Sequence, residues 1–412
     1  MFSEFLKKHF HSLYHRNYRY FFFGQMISLI GTWMQVMAQA WLVYTLTNSP
    51  FKLGVVGAVQ FLPTLIFALF TGVLVDRYPK KKILLITQMI YCLQALTLFF
   101  LIHYGVVQYW HILLLTLVLG FASAIDMPAR QAYVVELVGR EDVVNAVGLN
   151  SAIYNIARIL GPAIAGVLMT SFGIQWCFFI NAISFTTVIF SLAMITVTGN
   201  SAMRDKEIFF NLKIFDHVKE GLVYIRKNNL LFKTSLIILF ITVISFNYNV
   251  LLPVFARDVL GLKEKGFGIL LSSLGGGSLI GALMVSTMGK SNPGGRSLIL
   301  SSIMLGLSLF MLGFVKNIYT ASIIIGFSGI FNLWFFTNAN SILQLNSSDE
   351  FRGRVMGVYA MVFAGTIPIG NLISGFVAQR ISADKTFMYI GLIIVAVVLS
   401  KIFIIAGYKK NH

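Results

Sequence analysis

The chain has 412 residues, of which 57% are hydrophobic and only 11% are charged, and its mean hydropathy is +0.80. A soluble globular protein of this length is excluded, because it would need many more charged residues to cover its surface. The formal net charge of +17 does not indicate a nucleic-acid partner. The bases lie in short clusters between long apolar runs, whereas nucleic-acid binding needs them on one water-facing surface.

The long apolar runs predict transmembrane helices. About 20 apolar residues cross a bilayer as a helix, and a helix bonds its own backbone groups where no water is available. We therefore expect an all-α membrane protein with twelve transmembrane helices in two pseudo-symmetric six-helix bundles. The predicted spans, in chain order, are 19–46, 52–75, 83–103, 109–127, 146–170, 175–197, 231–256, 267–289, 297–315, 319–344, 355–379 and 386–408.

The longest polar interval runs from about residue 200 to residue 229 and separates two sets of six spans. The predicted domains are an N-terminal bundle (1–198), a cytoplasmic linker (199–230) and a C-terminal bundle (231–412). The linker carries apolar residues at helical spacing with bases on the other side, which predicts an amphipathic helix at the lipid interface. An ordinary soluble connector is the alternative. The apolar positions are Leu212, Phe215, Val218, Leu222 and Ile225.

An internal repeat supports the division into two sets. Four glycines and one glutamate recur at a constant separation of 209 residues, without gaps. A duplicated half is one of the architectures of membrane transporters, and it leaves a cavity between the halves. The repeated positions are Gly120, Glu141, Gly148, Gly161 and Gly166, matched by Gly329, Glu350, Gly357, Gly370 and Gly375.

Orientation in the membrane follows from the distribution of Lys and Arg. With a cytoplasmic N-terminus, 23 of the 32 bases fall in segments inside the cell and seven in segments outside it. We therefore expect both termini on the cytoplasmic side of a bacterial inner membrane.

The loop between spans two and three carries the first recognisable signature: Gly72-Val-Leu-Val-Asp76-Arg77-Tyr-Pro79 followed by three lysines. It resembles the Gly-x-Leu-x-Asp-Arg-x-Gly-Arg-Lys signature of the major facilitator superfamily, with Pro79 in place of the second glycine. The resemblance implies a latch in which Gly72, Asp76 and Arg77 close the cytoplasmic side through charge-assisted bonds that break when the halves move. The alternative is that Arg77 and the lysines only enforce topology, and this is how we interpret the three lysines themselves.

Two further elements follow at the end of span four and in span five. They resemble the antiporter motif of drug–proton exporters in this superfamily, in the branch that holds the enterobactin exporter and the macrolide efflux pumps. Small residues allow close helix approach, and proline bends the backbone. The matching residues are Asp126, Pro128 and Arg130 in the first element, and Arg158, Gly161, Pro162 and Gly166 in the second.

Three charged residues are candidates for proton coupling or for the cavity edge: Asp126, Arg130 and Arg158. Arg158 falls inside a span, where a charge is costly unless it has a partner or faces water. Asp126 is the nearest candidate partner, so Arg158 is either an anion-binding or gating residue or one half of a structural ion pair. Exporters often carry an Arg four residues before the span-four glycine, but Thr116 holds that position here. Proton coupling is therefore implied by the resemblance more than by these residues.

Spans one, four, seven and ten line the pathway in this superfamily, and their amides and aromatics are the substrate-cavity candidates. Arg352 and Arg354, at the start of span eleven, read equally well as gate or as topology residues. The cavity candidates are Gln25, Gln35, Gln39, Asn247, Asn249, Asn332, Trp334, Asn338 and Asn340.

The sequence thus predicts a secondary active exporter of a small amphipathic organic molecule such as a siderophore, a macrolide or a lipid-like metabolite. We expect a monomer that uses the proton gradient and no cofactor or metal. An enzyme would need clustered His, Asp or Glu at one membrane face, and the sequence offers no such cluster. An importer, or a membrane scaffold or receptor, is the alternative.

Overall fold

The computed structural model describes residues 10–196, 213–245, 247–287 and 295–405, and these residues are almost entirely helical. A short 3₁₀ helix, His11–Tyr14, precedes the first long helix. The helices that follow are α1 (Arg16–Thr47), α2 (Pro50–Arg77), α3 (Lys80–His103), α4 (Tyr109–Ser171), α5 (Gln175–Met194), α6 (Lys213–Lys227), α7 (Asn229–Ser245), α8 (Tyr248–Val254), a π-helical turn (Phe255–Val259), α9 (Glu264–Thr287), α10 (Gly295–Leu312), α11 (Ile318–Leu345), α12 (Asp349–Ile381) and α13 (Ala383–Ile405).

Eleven helical stretches among the described residues are long and apolar enough to cross a membrane. The prediction of twelve spans agrees with this number, because α4 is 63 residues long and contains both span four and span five. The segment 128–145, which lies between those spans, is helical. The helices thus extend well beyond the apolar runs from which they were predicted.

A single residue divides α4 into its two spans. Gly139 has φ +75° and ψ 176°, in a region that only glycine adopts readily, so the helix axis changes direction there. In the repeat, Gly139 corresponds to Ser348, the residue that precedes the start of α12. Both copies therefore interrupt the helix at the same place.

The predicted span 231–256 is interrupted near its centre. Helix α7 ends at Ser245, α8 begins at Tyr248, and Asn247 between them has the non-helical torsions φ −110° and ψ 26°. Pro253 within α8 lacks a backbone N–H, and the π-helical turn follows directly. Broken helices are tolerated at membrane depth where other protein groups satisfy the freed backbone.

The chain forms two compact units. The first comprises Met1–Leu46 and Leu62–Phe209, and the second comprises Thr47–Phe61 and Phe210–His412. The start of α2 thus belongs to the second unit, where it packs against α12, although the prediction placed this whole span in the N-terminal bundle. The predicted domain boundaries stay predictions.

Glycines explain why α2 and α12 approach so closely. A Cβ atom on Gly54 would lie 2.4 Å from the carbonyl oxygen of Asn371, and one on Gly375 would lie 2.6 Å from that of Pro50. Phe51 and Phe376 complete the contact with an edge-to-face pair. Only residues without a side chain permit backbones at this distance.

Candidate functional site

A buried ion pair lies in the first unit, one turn apart on α4. The Asp126 Oδ2 atom accepts hydrogen bonds from Arg130 Nε at 2.9 Å and Nη2 at 2.8 Å. Its Oδ1 atom accepts from the Thr87 hydroxyl at 2.6 Å and from Gln88 Nε2 at 3.0 Å, both on α3. The Asp126 side chain is only 8% exposed, so these four bonds replace the water that a carboxylate otherwise requires.

The remaining groups around Arg130 come from α1. Its Nη1 atom donates to Gln25 Oε1, and its guanidinium carbon lies 5.8 Å from the centre of the Phe21 ring. Arg130 therefore links α4 to α1 while Asp126 links α4 to α3. The structure brings the predicted residues Asp126, Arg130 and Gln25 into one cluster.

Arg158 does not belong to this cluster. Its guanidinium carbon lies 5.7 Å from the centre of the Trp33 ring on α1, within the range of a cation–π contact. The carboxylate of Asp126, which was the expected partner, bonds to Arg130 instead. Asp126 and Arg130 are four residues apart on one helix, the spacing at which opposite charges pair, whereas 32 residues separate Asp126 from Arg158.

The motif in span five, Gly161, Pro162 and Gly166, places the second part of α4 against α1. A Cβ atom on Gly161 would lie 2.5 Å from Trp33 Cβ and 3.0 Å from the Ile30 carbonyl oxygen, so only glycine permits this crossing. Pro162 and Gly166 are buried on the same helix. The motif thus packs helices, and it fixes the position of Trp33.

The predicted latch residues lie at the end of α2, which also contains Gly72. Asp76 and Arg77 are both exposed, and the Arg77 guanidinium carbon lies 5.8 Å from the Tyr78 ring centre. The part of the chain that the structure describes gives Asp76 no ion pair. The latch role stays a prediction.

A second ion pair joins α3 to α4, and the sequence did not predict it. Lys80, at the start of α3, is only 8% exposed, and its Nζ atom lies 3.1 Å from Oε1 of Glu136 on α4. Glu136 Oε2 is buried without a hydrogen-bond partner among the described residues. The sequence signal was present in the Lys80-Lys-Lys run, which we interpreted as a topology signal only.

The N-terminal segment docks on α4 just after Gly139. His11 Nε2 lies 3.0 Å from one carboxylate oxygen of Asp142, and His15 Nε2 lies 2.5 Å from the other. The Ser12 hydroxyl and backbone N–H both donate to the Asn145 side-chain oxygen. This segment is therefore held to α4 by polar contacts before α1 begins.

The linker helix α6 docks on α12 in the second unit. Its Tyr224 ring stacks on Phe351 with centroids 4.5 Å apart and planes 4° apart, and Ile225 is buried. Glu220 Oε2 lies 3.1 Å from Arg354 Nε. The helix was predicted, and Leu212 of its apolar stripe lies outside the described residues. Its contact with lipid stays a prediction.

Hydrogen bonds fix the same junction. The backbone N–H of Ser348 donates to the Tyr224 hydroxyl oxygen at 3.1 Å. This bond and a side-chain hydrogen bond with Ser348 lower the pKa of the Tyr224 hydroxyl. Arg352 Nη2 lies 2.6 Å from Oδ1 of Asp349, one turn away on α12. The two predicted gate arginines thus have different partners. Arg354 pairs with Glu220 on the linker helix and with Glu350 on α12. Arg352 pairs with Asp349 on α12 and donates to the Gln344 carbonyl oxygen on α11.

Two cavity candidates in the first unit bridge helices. Gln35 Nε2 donates to Gln94 Oε1 at 2.9 Å, and Gln35 Oε1 accepts from Asn181 at 2.7 Å. Gln39 Nε2 donates to the Thr116 hydroxyl at 3.0 Å. Buried amides commonly join membrane helices in this way. Their predicted contact with substrate is untested.

The candidates in the second unit differ in their surroundings. Asn338 Nδ2 donates to the Ser297 hydroxyl at 2.8 Å, and Asn247 Nδ2 donates to the Ser374 hydroxyl at 2.7 Å. Asn332 is 7% exposed, and its Nδ2 atom has no hydrogen-bond partner within the described ranges. Asn249 is exposed, whereas Trp334 and Asn340 are half-buried.

Metal binding has no support in the described part of the chain, where no group of three or more His, Cys, Asp or Glu side chains is arranged to hold an ion.

Comparison with protein families gives a match along almost the whole chain. A family model described as "Transmembrane secretion effector" matches residues 8–409. The chain is similar to the staphyloferrin A transporter of Staphylococcus aureus, with 27% identity over 388 residues, 94% of this chain and 96% of the relative. It is also similar to macrolide efflux protein A of Streptococcus pyogenes, with 22% identity over 378 residues, 91% and 93% of the two chains.

Solved structures give the same fold at lower identity. The nucleoside transporter NupG superposes with a TM-score of 0.72 at 13% identity, covering 96% of this chain and all of that one. A POT family transporter in complex with 5-aminolevulinic acid gives 0.73 at 11% identity, covering 96% and 97%. The predicted all-α membrane fold with two six-helix bundles agrees with these neighbours.

Proposed function

The chain belongs to the transmembrane secretion effector family of the major facilitator superfamily, and we propose that it exports a small amphipathic organic molecule in exchange for protons. Its relatives are transporters, so the chain is a multi-pass membrane transporter and not an enzyme. The predicted resemblance to siderophore and macrolide exporters of this superfamily is confirmed at the level of the family.

The substrate class rests on the relatives. One is named for a siderophore, staphyloferrin A, and others for macrolide or multidrug efflux. Each of these names denotes a transporter of organic molecules, and this chain covers 93% or more of the first two relatives. Export of a siderophore-like or drug-like molecule is therefore the proposal, and the internal repeat supports movement by alternating access.

The buried pair Asp126–Arg130 is the observation that carries the proton coupling. A membrane helix retains a buried charge at considerable cost, which makes such a residue a functional candidate. Uptake of a proton by Asp126 would remove the charge that pairs with Arg130, and Arg130 would then be able to change its contacts with α1. Protonation is thereby linked to a rearrangement of helices.

We also propose that the protein is a monomer in the inner membrane of a bacterium, with both termini in the cytoplasm. In that orientation Asp76, Arg77, Arg352 and Arg354 lie on the cytoplasmic side, where a latch would act. The excess of bases in the corresponding segments supports this orientation.

A comparison of metabolites tests the proposed function. Cells with and without the protein are extracted, with siderophores assayed first, and cells carrying Asp126→Asn serve as the matched control. We expect at least one amphipathic metabolite to move from the cells to the medium only with the unaltered protein. Accumulation inside the cells would indicate an importer, and an unchanged distribution would contradict transport of these molecules.

A further inference from the structure

Three side chains meet where α1 crosses the second span of α4. The Trp33 and Tyr154 rings lie 5.6 Å apart at 76°, an edge-to-face pair. The Arg158 guanidinium carbon lies 5.7 Å from the centre of the Trp33 ring. Tyr154 and Arg158 are one turn apart on α4, so both side chains project toward the same part of α1.

A rigid crossing holds this cluster in place. Gly161, one turn after Arg158, leaves room for only a hydrogen atom against Trp33 Cβ and the Ile30 carbonyl oxygen. The Trp33 Cβ atom is therefore fixed against α4, and the Trp33 ring lies beside the Arg158 guanidinium. Sites built on rigidly packed helices hold a ligand with little loss of side-chain entropy.

The duplicated half shows that the crossing does not require a charge. There Gly370 makes an equally close contact, with its Cβ position 2.2 Å from the Val243 carbonyl oxygen. At the constant offset of 209 residues, Arg158 corresponds to Ile367 and Tyr154 to Phe363. The guanidinium and the phenol are thus additions to a scaffold that forms without them.

The exposure of the cluster indicates an aqueous surface. Tyr154 is 48% exposed, and Arg158 is half-buried in the middle of a predicted span. A guanidinium facing hydrocarbon is costly, so the exposed part of Arg158 faces water. A guanidinium beside an aromatic ring is attracted to the ring face as a cation, and its planar N–H fork also matches a carboxylate, so one Arg can make both contacts together.

We propose that Trp33, Tyr154 and Arg158 form a recognition subsite for a carboxylate group of the transported molecule, with the aromatic rings receiving an adjoining planar or apolar part. The inference rests on the proposed function, since it specifies which chemical class of substrate the exporter takes. It assigns Arg158 a role separate from the Asp126–Arg130 pair.

Binding to the full-length protein in phosphatidylcholine nanodiscs tests the subsite. The probes are 1-pyrenebutyrate and its uncharged amide, which differ only in the carboxylate, and fluorescence anisotropy reports their affinities. We expect the carboxylate to bind about tenfold or more tightly than the amide, the usual size of a charge-assisted contact. Arg158→Gln should remove this preference and leave amide binding unchanged, and Arg158→Lys should restore part of it.

Arg380→Gln is the matched control, because Arg380 stacks on Phe376 in the same manner, at 5.5 Å, outside the subsite. It should retain the full preference. Equal affinity of the unaltered protein for both probes, no binding of 1-pyrenebutyrate, or an unchanged preference in Arg158→Gln contradicts the proposal. Loss of the preference in phosphatidylglycerol nanodiscs also contradicts it, because a lipid headgroup would then be the ligand.

Measuring metabolite export by cells distinguishes a failure of the proposed subsite from a failure of the proposed function. Export by cells together with equal probe affinities removes the carboxylate subsite and leaves the transporter intact. A clear carboxylate preference without any export retains the subsite and removes the proposed export.

Discussion

The two halves of the chain share a backbone plan but differ in charge at equivalent positions. At the offset of 209 residues, Asp126 corresponds to Phe335 and Arg130 to Ala339. Phe335 and Ala339 are completely buried, so the second half fills with apolar atoms the place where the first half holds an ion pair. The packing of this helix therefore does not depend on charge, and the pair in the first half has another reason to exist.

The helix crossings, in contrast, are the same in both halves. Gly161 contacts α1 and Gly370 contacts α7, in each case the first predicted span of its own half, and each is too close to that helix for a side chain. The glycines are thus structural, whereas the charges are specific to one half. We therefore infer that the repeated glycines serve folding and that the Asp126–Arg130 pair serves transport.

Docking at the start of the fifth span of each half uses equivalent positions with different side chains. Asp142 and Asn145 hold the N-terminal segment, and the equivalent residues, Phe351 and Arg354, hold the linker helix α6. The positions are retained while the contacts change from His–carboxylate bonds to an aromatic stack with an ion pair. A segment that precedes each half is therefore anchored at the same place by different chemistry.

The largest effect on transport is expected when Asp126 and Arg130 are replaced by the residues that the second half has at the equivalent positions. Asp126→Phe combined with Arg130→Ala should abolish transport. The free energy of unfolding should stay unchanged or rise, because replacing a buried ion pair by apolar residues is commonly neutral or stabilising by about 1–4 kcal/mol. Export assays and thermal unfolding in detergent measure the two quantities.

Asp126→Phe alone is the control for this experiment. It leaves Arg130 buried without its acid and should destabilise the protein by about 3–5 kcal/mol. Normal export by the double variant would remove the coupling role of the pair.

Substitution of the repeated glycines should affect both halves alike. Gly161→Ala and Gly370→Ala each force a Cβ atom into a neighbouring helix, and overpacking of this kind costs about 1–3 kcal/mol. Gly148→Ala and Gly357→Ala are matched controls, because a Cβ there meets nothing within 4 Å. Thermal unfolding should separate the two pairs of variants, and equal melting temperatures for all four would refute the structural assignment.

The latch residue should have a smaller effect, on rate alone. Asp76→Asn keeps the shape of the side chain and removes its charge, so charge-assisted bonds made during the transport cycle are lost, and export should fall about tenfold. Membrane insertion, followed by the amount of protein in the membrane fraction, should stay normal. Unaltered export by this variant would exclude the latch.

The smallest effect is expected at the two docking sites. Asp142→Asn should increase hydrogen exchange in residues 11–15 and leave residues 220–227 unchanged, and Tyr224→Ala should do the reverse. Hydrogen exchange that changes equally in both segments would show that the two sites are not independent.

The sequence predicted the helices well because each apolar run is long enough to require one. It could not show that α4 continues through residues 128–145, since helical polar segments beyond the membrane carry no hydropathy signal. The break at Asn247 was also missed, because Asn247 and Pro253 lie in an otherwise unbroken apolar run.

The site was predicted in part. Asp126, Arg130 and Arg158 were identified as unusual charges, but Asp126 was paired with Arg158 although Arg130 lies one turn away on the same helix. The bonds of Asp126 to Thr87 and Gln88 on α3 are tertiary contacts that spacing alone leaves open. Lys80–Glu136 was missed for the same reason, since its partners are 56 residues apart. The cation–π contact of Arg158 with Trp33 depends on the crossing at Gly161, which was recognised only as a motif.

Proton movement in proteoliposomes tests most directly whether the charges of the first half couple transport. A pH-sensitive dye inside the vesicles records the response when the metabolite identified in cells is added. The unaltered protein should move protons on addition of the metabolite, and the double variant Asp126→Phe with Arg130→Ala should move none while remaining folded. Equal proton movement in both proteins would contradict the assignment of coupling to the unrepeated pair.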